Sequence, residues 1–324
     1  MNWPGKRVLV TGGGGFIGSH LVERLVELGA RPRALVHYHS KSPLGWLERS
    51  AYRKDIEVVP GDVRDRDTIL PALEGAEVVF HLAALIAIPY SYNAPVSYVR
   101  TNVEGTANIL QGARSAGVER FVHASTSEVY GTAEAVPIPE SHPLRGQSPY
   151  AASKIGADKM AESFHLSYGL PVVTVRPFNA FGPRQSSRAI VPTIIAQCLS
   201  GKTVCLGNVE PTRDLSYVSD TVEGFILAGG SAAAVGRTIN IGSGREISVR
   251  ELVHVLSAVV GREVEIEIEE RRIRPKGSEV ERLLADNALA RELLGWKPQV
   301  SLEEGLRRTV AWIRDNPDEF CSAG

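Results

Sequence analysis

Up to Arg176 the chain alternates short apolar, β-branched runs with longer stretches in which apolar residues recur every three or four positions. The runs at 8–11, 33–36, 56–59, 78–82, 121–124 and 172–176 read as strands, and the stretches between them, notably 98–116 and 150–168, read as helices. Strands that alternate with helices build a parallel sheet covered on both faces. Ligands of such sheets bind beyond the carboxyl ends of the strands. Gly12, His81, Ser125 and Pro177 all fall at those ends, so four loops converge on one crevice.

Beyond Pro177 the pattern is broken by Gly182-Pro183, Gly207-Asn208 and Pro211. A helix at 190–199 and a strand at 203–206 open a second lobe, 221–228 and 238–241 return to the sheet, and 249–260, 264–268, 286–294 and 302–313 complete the lobe. The predicted organisation is an α/β, doubly wound parallel sheet with a smaller, interleaved C-terminal substrate-binding lobe. Residues 1–177, with 212–241 returning to them, form the first unit, and 178–211 with 242–324 form the second. No internal repeat or low-complexity segment interrupts it.

The first predicted strand runs into Gly12-Gly13-Gly14-Gly15-Phe16-Ile17-Gly18, and an amphipathic segment with Leu21, Val22, Leu25, Val26 and Leu28 follows. Glycines at a strand-to-helix turn are the context of a Rossmann dinucleotide site. Gly12 permits the tight turn, Gly15 lets the backbone approach a pyrophosphate, and Gly18 lets helix and strand pack closely. The amides where the helix starts, at Phe16 and Ile17, then face the phosphates. A flexible glycine loop without a ligand is the plainer alternative, but such a run costs backbone entropy.

Composition narrows the classes of partner. The 324 residues are 43% hydrophobic, enough for a sizeable core, and the net charge of -1 gives no general attraction to nucleic acid or to an anionic membrane. Three cysteines without a CxxC pair argue against a disulfide framework, and the first strand follows Met1-Asn2-Trp3-Pro4-Gly5 with no room for a signal peptide. A cytoplasmic enzyme is expected. His37 and His39 have no companions at metal-ligand spacing and read as loop residues, so no metal site is expected.

The chemistry concentrates in Ser125-Thr126-Ser127-Glu128-Val129-Tyr130-Gly131 and Tyr150-Ala151-Ala152-Ser153-Lys154. Tyr150 and Lys154 share a helix face, so the ammonium is expected to lower the pKa of a phenol that ordinarily ionises at about 10. Such a phenolate takes a hydroxyl proton, Thr126 hydrogen-bonds the same hydroxyl, and Glu128 is left for proton transfer at a neighbouring carbon. A surface Tyr–Lys pair and a solvated loop carboxylate are the bland alternatives.

Several ordered motifs together carry a family resemblance: TGxxGFIG at 11–18, GDVRD at 61–65, HLAA at 81–84, YxxxK at 150–154, RPFNAFGP at 176–183 and TRDLSYVSD at 212–220. Over nearly its whole length the chain resembles the extended short-chain dehydrogenases/reductases that act as nucleotide-sugar epimerases and dehydratases. The resemblance puts Asp62 and Val63 beside the adenine, Leu82, Ala83, Ala84 and Pro177 along the cofactor, and Tyr150 and Lys154 at the sugar and the nicotinamide ribose. Simple 4-epimerases of this family usually carry a small residue where Glu128 stands. The 4,6-dehydratases carry a Glu, which removes the C5 proton after oxidation at C4 so that the C6 hydroxyl leaves. In dTDP-glucose dehydratases an Asp precedes that Glu; here Ser127 does, as in GDP-mannose dehydratases. A serine is a poor general acid, so Glu128 itself or a relayed water protonates the leaving oxygen.

For the substrate, the resemblance assigns Arg213 and Arg274 to the diphosphate and Asn179 to its vicinity, with Arg184 and Lys276 as further candidates. The stretches 81–92 and 274–282 look like 4,6-dehydratases of legionaminic-acid-type pathways, which favours a GDP- or UDP-linked N-acetylglucosamine. The run Ile86-Ala87-Ile88 can pack an acetamido methyl, or serve as ordinary loop core. Residues 34–41 hold no acid for the cofactor's 2′ hydroxyl; His37 stands at the strand end, and Ser40 or Lys41 can reach a 2′-phosphate. The cofactor is therefore NAD(P), NAD being favoured by family frequency. A homodimer paired through helices near 93–116 and 150–168 is also implied. A UDP-glucuronate decarboxylase or 4-epimerase is the nearest alternative, and a non-enzymatic dinucleotide sensor a more distant one.

Overall fold

In the computed structural model, which describes residues 1–37 and 42–318, the β-branched runs form seven parallel strands. In chain order these are β1 (Arg7–Thr11), β2 (Arg31–Val36), β3 (Glu57–Pro60), β4 (Val78–His81), β5 (Arg120–Ala124) and β6 (Val172–Pro177); then, beyond β7 (Asn179–Phe181), β8 (Thr203–Leu206) and β9 (Thr212–Tyr217), the seventh is β10 (Thr238–Ile241). The sheet order is β3-β2-β1-β4-β5-β6-β10. It reverses direction at β1, and the crevice there opens beside the glycine turn.

Side-chain alternation assigns each strand residue to a face. Val8 and Val10, Val78 and Phe80, Val122, and Val173 and Val175 join one core, while Leu9, Val79, Phe121 and Val172 join another. Helices Phe16–Glu27 and Val218–Gly230 cover the first face; Arg66–Leu73, Gly105–Ala116 and Pro149–Tyr168 cover the second. Both faces are dry, which is why the strands read as apolar runs rather than half-polar ones.

The smaller lobe has its own strands. β9 pairs with β7, with β11 (Glu246–Ser248) and, after β12 (Glu265–Ile268), with β13 (Arg282–Leu283), whereas β8 and β12 pair with each other. Within 212–241, therefore, β9 lies outside the large sheet, and only the helix Val218–Gly230 and β10 return to it. The Asp214 carboxylate on β9 accepts from the Ser243 amide at 2.7 Å, the Gly244 amide at 2.9 Å and the Ala285 amide at 3.2 Å, drawing two segments to that strand.

The predicted single helix at 98–116 is in fact three pieces: a short turn Pro95–Tyr98, a π-helical turn Val99–Glu104, and the α-helix Gly105–Ala116. The widened turn holds Asn102, fully buried, whose amide clamps both backbone groups of Leu85, at 2.8 and 3.0 Å, and reaches Ser153 at 2.9 Å. Apolar periodicity does not register such a turn, because the helix keeps its buried face across it. Among the described residues no helix is long and apolar enough to cross a membrane.

Candidate active site

The glycine turn is built by backbone contacts that no side chain would allow. Gly12 has φ +71°, and a Cβ there would sit 3.0 Å from the Ala83 amide nitrogen. A Cβ on Gly18 would lie 2.1 Å from the Gly12 carbonyl oxygen, inside its van der Waals shell. Gly15, by contrast, meets only that oxygen, at 3.3 Å. It caps the helix without a side chain, and the helix's first turn carries no acid. The first amides, at Phe16 and Ile17, therefore lack an intrahelical acceptor and have no acidic side chain in their own turn, which fits a dinucleotide pyrophosphate. Gly18→Ala is expected to cost about 1–3 kcal/mol and to weaken dinucleotide binding; an unchanged urea midpoint would refute the close packing.

Along the crevice, Thr11 Oγ1 accepts from the Ala83 amide at 3.1 Å and meets His81 Nδ1 at 2.8 Å; His81 Nε2 meets Thr106 Oγ1 at 2.9 Å. Burial holds the His81 imidazole well below its ordinary pKa, so it is neutral. Leu82 and Ala84 flank Ala83 and are half-buried. At the ends of β2 and β3, His37 is exposed and acts electrostatically on Asp62. The carboxyl of Asp62 is held below its usual range chiefly by the Arg64 side chain. Val63 packs under Gly105, where a Cβ would come within 2.6 Å of it. Lys41 and Ser40 lie outside the described residues.

At the end of β5 the chain turns tightly. Ser125 donates its amide to Val175 at 2.8 Å, and Thr126 caps the 3₁₀ turn Ser127–Tyr130 by accepting the Glu128 amide at 3.2 Å. Thr126, Ser127 and Glu128 are all buried. Opposite them, Ser148 caps the helix Pro149–Tyr168 through the Ala151 amide at 3.1 Å, which sets Tyr150 in its first turn. The Tyr150 phenol is hydrogen-bonded to Thr126, and its ring stands edge-on to Tyr98 at 6.2 Å. Ile88 packs into the same small cluster with Tyr98 and Tyr150, whereas Ile86 is exposed.

One expectation needs correction. The phenol of Tyr150 is raised above its ordinary pKa, not lowered: burial dominates, opposed by the Thr126 hydrogen bond and reinforced by the charge of Glu128. The Lys154 ammonium is engaged on the strand end rather than on the phenol. It donates to the Ala124 carbonyl at 2.7 Å, and burial lowers its own pKa to about 8, against the pull of Asp158. Tyr150 is thus a neutral phenol, which must give up its proton before it can act as a base.

In the small lobe, Arg213 on β9 and Arg274 both approach Glu279, at 3.5 and 3.6 Å. Arg213 is buried and coupled electrostatically to Glu128, so this cationic cluster adjoins the turn at the end of β5. Arg274 Nη1 and Asn179 Oδ1 are buried without a hydrogen-bond partner among the described residues, the state of groups that await a polar ligand. Arg184 does not join them. Its guanidinium is held on the first helix by Glu23, at 2.9 and 3.0 Å, and by Ser19 at 3.2 Å, because that half-buried carboxylate already supplies its counter-charge. Pro177 lies half-buried at the end of β6. The sequence reading missed Tyr98, Asn102, Asp158 and Glu279. Of these only Asp158, one turn beyond Lys154, carried a signal in its spacing.

Residues 9–309 match the family model described as GDP-mannose 4,6 dehydratase. A UDP-glucose 4-epimerase of Mycolicibacterium smegmatis is 38% identical over 95% of this chain and 99% of its own. A dTDP-glucose 4,6-dehydratase of Streptomyces antibioticus is 36% identical over 95% of this chain and 92% of its own. Among solved structures, the dTDP-glucose 4,6-dehydratase DesIV of Streptomyces venezuelae, with NAD bound, superposes with a TM-score of 0.86 at 34% identity, covering 96% of this chain and 98% of that one. With its glycine turn, its Tyr150–Lys154 helix and matches of this length, the chain belongs to the NAD-dependent epimerase/dehydratase family of nucleotide-sugar enzymes, within the extended short-chain dehydrogenases/reductases.

Proposed function

We propose that the protein is an NAD-dependent nucleotide-sugar 4,6-dehydratase that converts an NDP-hexose or NDP-N-acetylhexosamine, GDP- or UDP-N-acetylglucosamine foremost, to its 4-keto-6-deoxy product. The observation that carries this reading is Glu128, a carboxylate buried beside the Thr126–Tyr150 hydrogen bond and close enough to Tyr150 to act on its phenol. A reaction confined to C4 needs Thr126 and Tyr150 but has no use for a carboxylate there.

The residues that fit the cofactor are Gly12, Gly15, Phe16, Ile17 and Gly18 at the pyrophosphate, His37, Asp62 and Val63 at the adenosine, and Leu82, Ala83, Ala84, Lys154 and Pro177 towards the nicotinamide. When bound, the cofactor would supply the hydride acceptor for C4 and the hydride donor for C6. Tyr150 takes the C4 hydroxyl proton while Thr126 fixes that oxygen. Glu128 then removes the C5 proton, made acidic by the new ketone, and gives a proton to the departing C6 hydroxyl, since the Ser127 hydroxyl is a poor acid. As hydride returns at C6, C5 takes up a proton from solvent, which restores its hydrogen in the 4-keto-6-deoxy product. Arg213, Arg274 and Asn179 supply charge and hydrogen bonds to the diphosphate, displacing Glu279 as the arginines' partner, and Ile88 borders the sugar through its contact with Tyr150.

The 38% identical epimerase keeps 4-epimerisation as a second reading. Incubation of the purified protein with GDP-, UDP-, dTDP- and CDP-sugars separates them by product mass. Loss of one water supports dehydration, an isobaric product means epimerisation, and loss of carbon dioxide means decarboxylation.

The same reading includes a homodimer and a cytoplasmic location. Val96, Val99, Leu166 and Tyr168 are exposed apolar residues on the helical segments from 95 to 168, where a second copy would pack. The described cysteines, Cys198 and Cys205, are free thiols, as in a reducing compartment. Light scattering is expected to give twice the chain mass, and a monomeric mass would remove the dimer.

A further inference from the structure

Three residues spaced one helical turn apart, Tyr150, Lys154 and Asp158, meet three consecutive residues at the end of β5. Tyr150 is hydrogen-bonded to Thr126, Lys154 donates to the Ala124 carbonyl at 2.7 Å, and Asp158 accepts from Ser125 Oγ at 2.8 Å. The last contact is the most heavily braced. Asp158 Oδ2 also accepts from Arg176 on β6, at 2.9 and 3.3 Å, and Oδ1 meets His123 Nε2 on β5 at 3.1 Å.

We infer that Asp158 is a positioning residue for the reaction: its carboxylate locks Ala124–Thr126 to the helix that carries Tyr150, and it supplies the anion that keeps Lys154 an ammonium. The inference rests on the function proposed above for its kinetic consequences, but not for its structural ones.

Among the described residues, Asp158 is the charge that favours the Lys154 ammonium. On its own helix Lys154 has Tyr150, a neutral phenol, one turn before it and Asp158 one turn after; on β4 and β5 it acts on His81 and His123, both held below their ordinary pKa chiefly by burial; and on β6 the Arg176 guanidinium pairs with the same Asp158 carboxylate. Asp158 is itself held ionised, at a pKa of about 2, by His123, Arg176 and Ser125 despite burial. Lys154 already stands at about 8. Removing the one anion, and with it the partner of Arg176, moves the ammonium further down, so that the charge is lost at lower pH. Among the described residues His123 Nδ1 has no hydrogen-bond partner, and because an ionised carboxylate only accepts, Nε2 is the protonated nitrogen that donates to Asp158.

Two variants test this. In Asp158→Asn, the Lys154 side chain, followed by carbon-13 lysine NMR against a Lys154→Met spectrum, is expected to titrate about one unit or more lower. The alkaline limb of kcat should move with it, with KM little changed. Ser125→Ala removes the link without the charge; its kcat is expected to fall roughly tenfold to a hundredfold with the Lys154 titration unmoved. A folded Asp158→Asn protein whose Lys154 titrates as in the wild type overturns the inference. If Asp158→Asn does not fold, Ser125→Ala decides, and an unchanged kcat there overturns it. Should the wild type turn over no nucleotide sugar, the proposed function falls, whereas the NMR titration still judges Asp158.

Discussion

Glu128→Gln is expected to reduce water loss from the substrate by about 10²–10⁴-fold, the usual contribution of a positioned acid–base group, while oxidation at C4 continues. The substitution is nearly isosteric, and the fold should tolerate it. No side-chain hydrogen bond depends on the carboxylate among the described residues, the turn is capped through the Glu128 amide rather than its side chain, and Arg213 retains Glu279 at 3.5 Å as a counter-ion. Two measurements on one sample separate the steps. Substrate should still reduce the nicotinamide, seen by its near-ultraviolet absorbance, whereas exchange of the C5 hydrogen with deuterated solvent should stop together with dehydration. If the variant dehydrates at the wild-type rate, another base acts at C5 and the distinction from the epimerases no longer rests on residue 128. If reduction is lost as well, Glu128 serves the first step, through its charge on Tyr150, and its separate role disappears.

What the sequence displayed clearly were features with a local cause. The strand cores, the glycine turn and the Tyr150–Lys154 helix follow from periodicity and from backbone limits, and each is present within a residue or two of the expected place. The features it concealed arise from distant contacts. The π-helical turn at Asn102 exists because its amide reaches Leu85 and Ser153, neither of which marks residue 102 in a window of sequence. Arg184 and Arg274 look alike as isolated arginines near glycine and proline. Only the fold shows that Glu23 claims the first, while the second keeps a buried nitrogen without a hydrogen bond.

The pKa of Tyr150 illustrates a further limit. Helical spacing does bring Lys154 to the same face, but spacing carries no information on burial, and here desolvation outweighs any benefit the phenol would draw from a cation. The ammonium, equally buried, is itself drawn down towards neutrality.

Tyr150→Phe follows from that arrangement and should abolish oxidation at C4, lowering turnover by about 10²–10⁴-fold, with dinucleotide affinity nearly unchanged. The phenyl ring keeps its edge-on contact with Tyr98 and its packing on Ile88, and Thr126 still accepts the Glu128 amide, so the loss to stability is about 1 kcal/mol, that of one hydrogen bond. The glycine turn and the Thr11–Ala83 contact, which bear on the cofactor, do not involve the phenol. Calorimetric titration with NAD and single-turnover reduction by substrate thus report different halves of the site. Because Tyr150 is protonated in the resting enzyme, the wild-type rate should climb with pH until Lys154 begins to lose its charge, near its pKa of about 8, and the variant's residual rate should lack that rise. Turnover within tenfold of the wild type, or a residual rate that still climbs with pH, would show that the proton leaves C4 by another route.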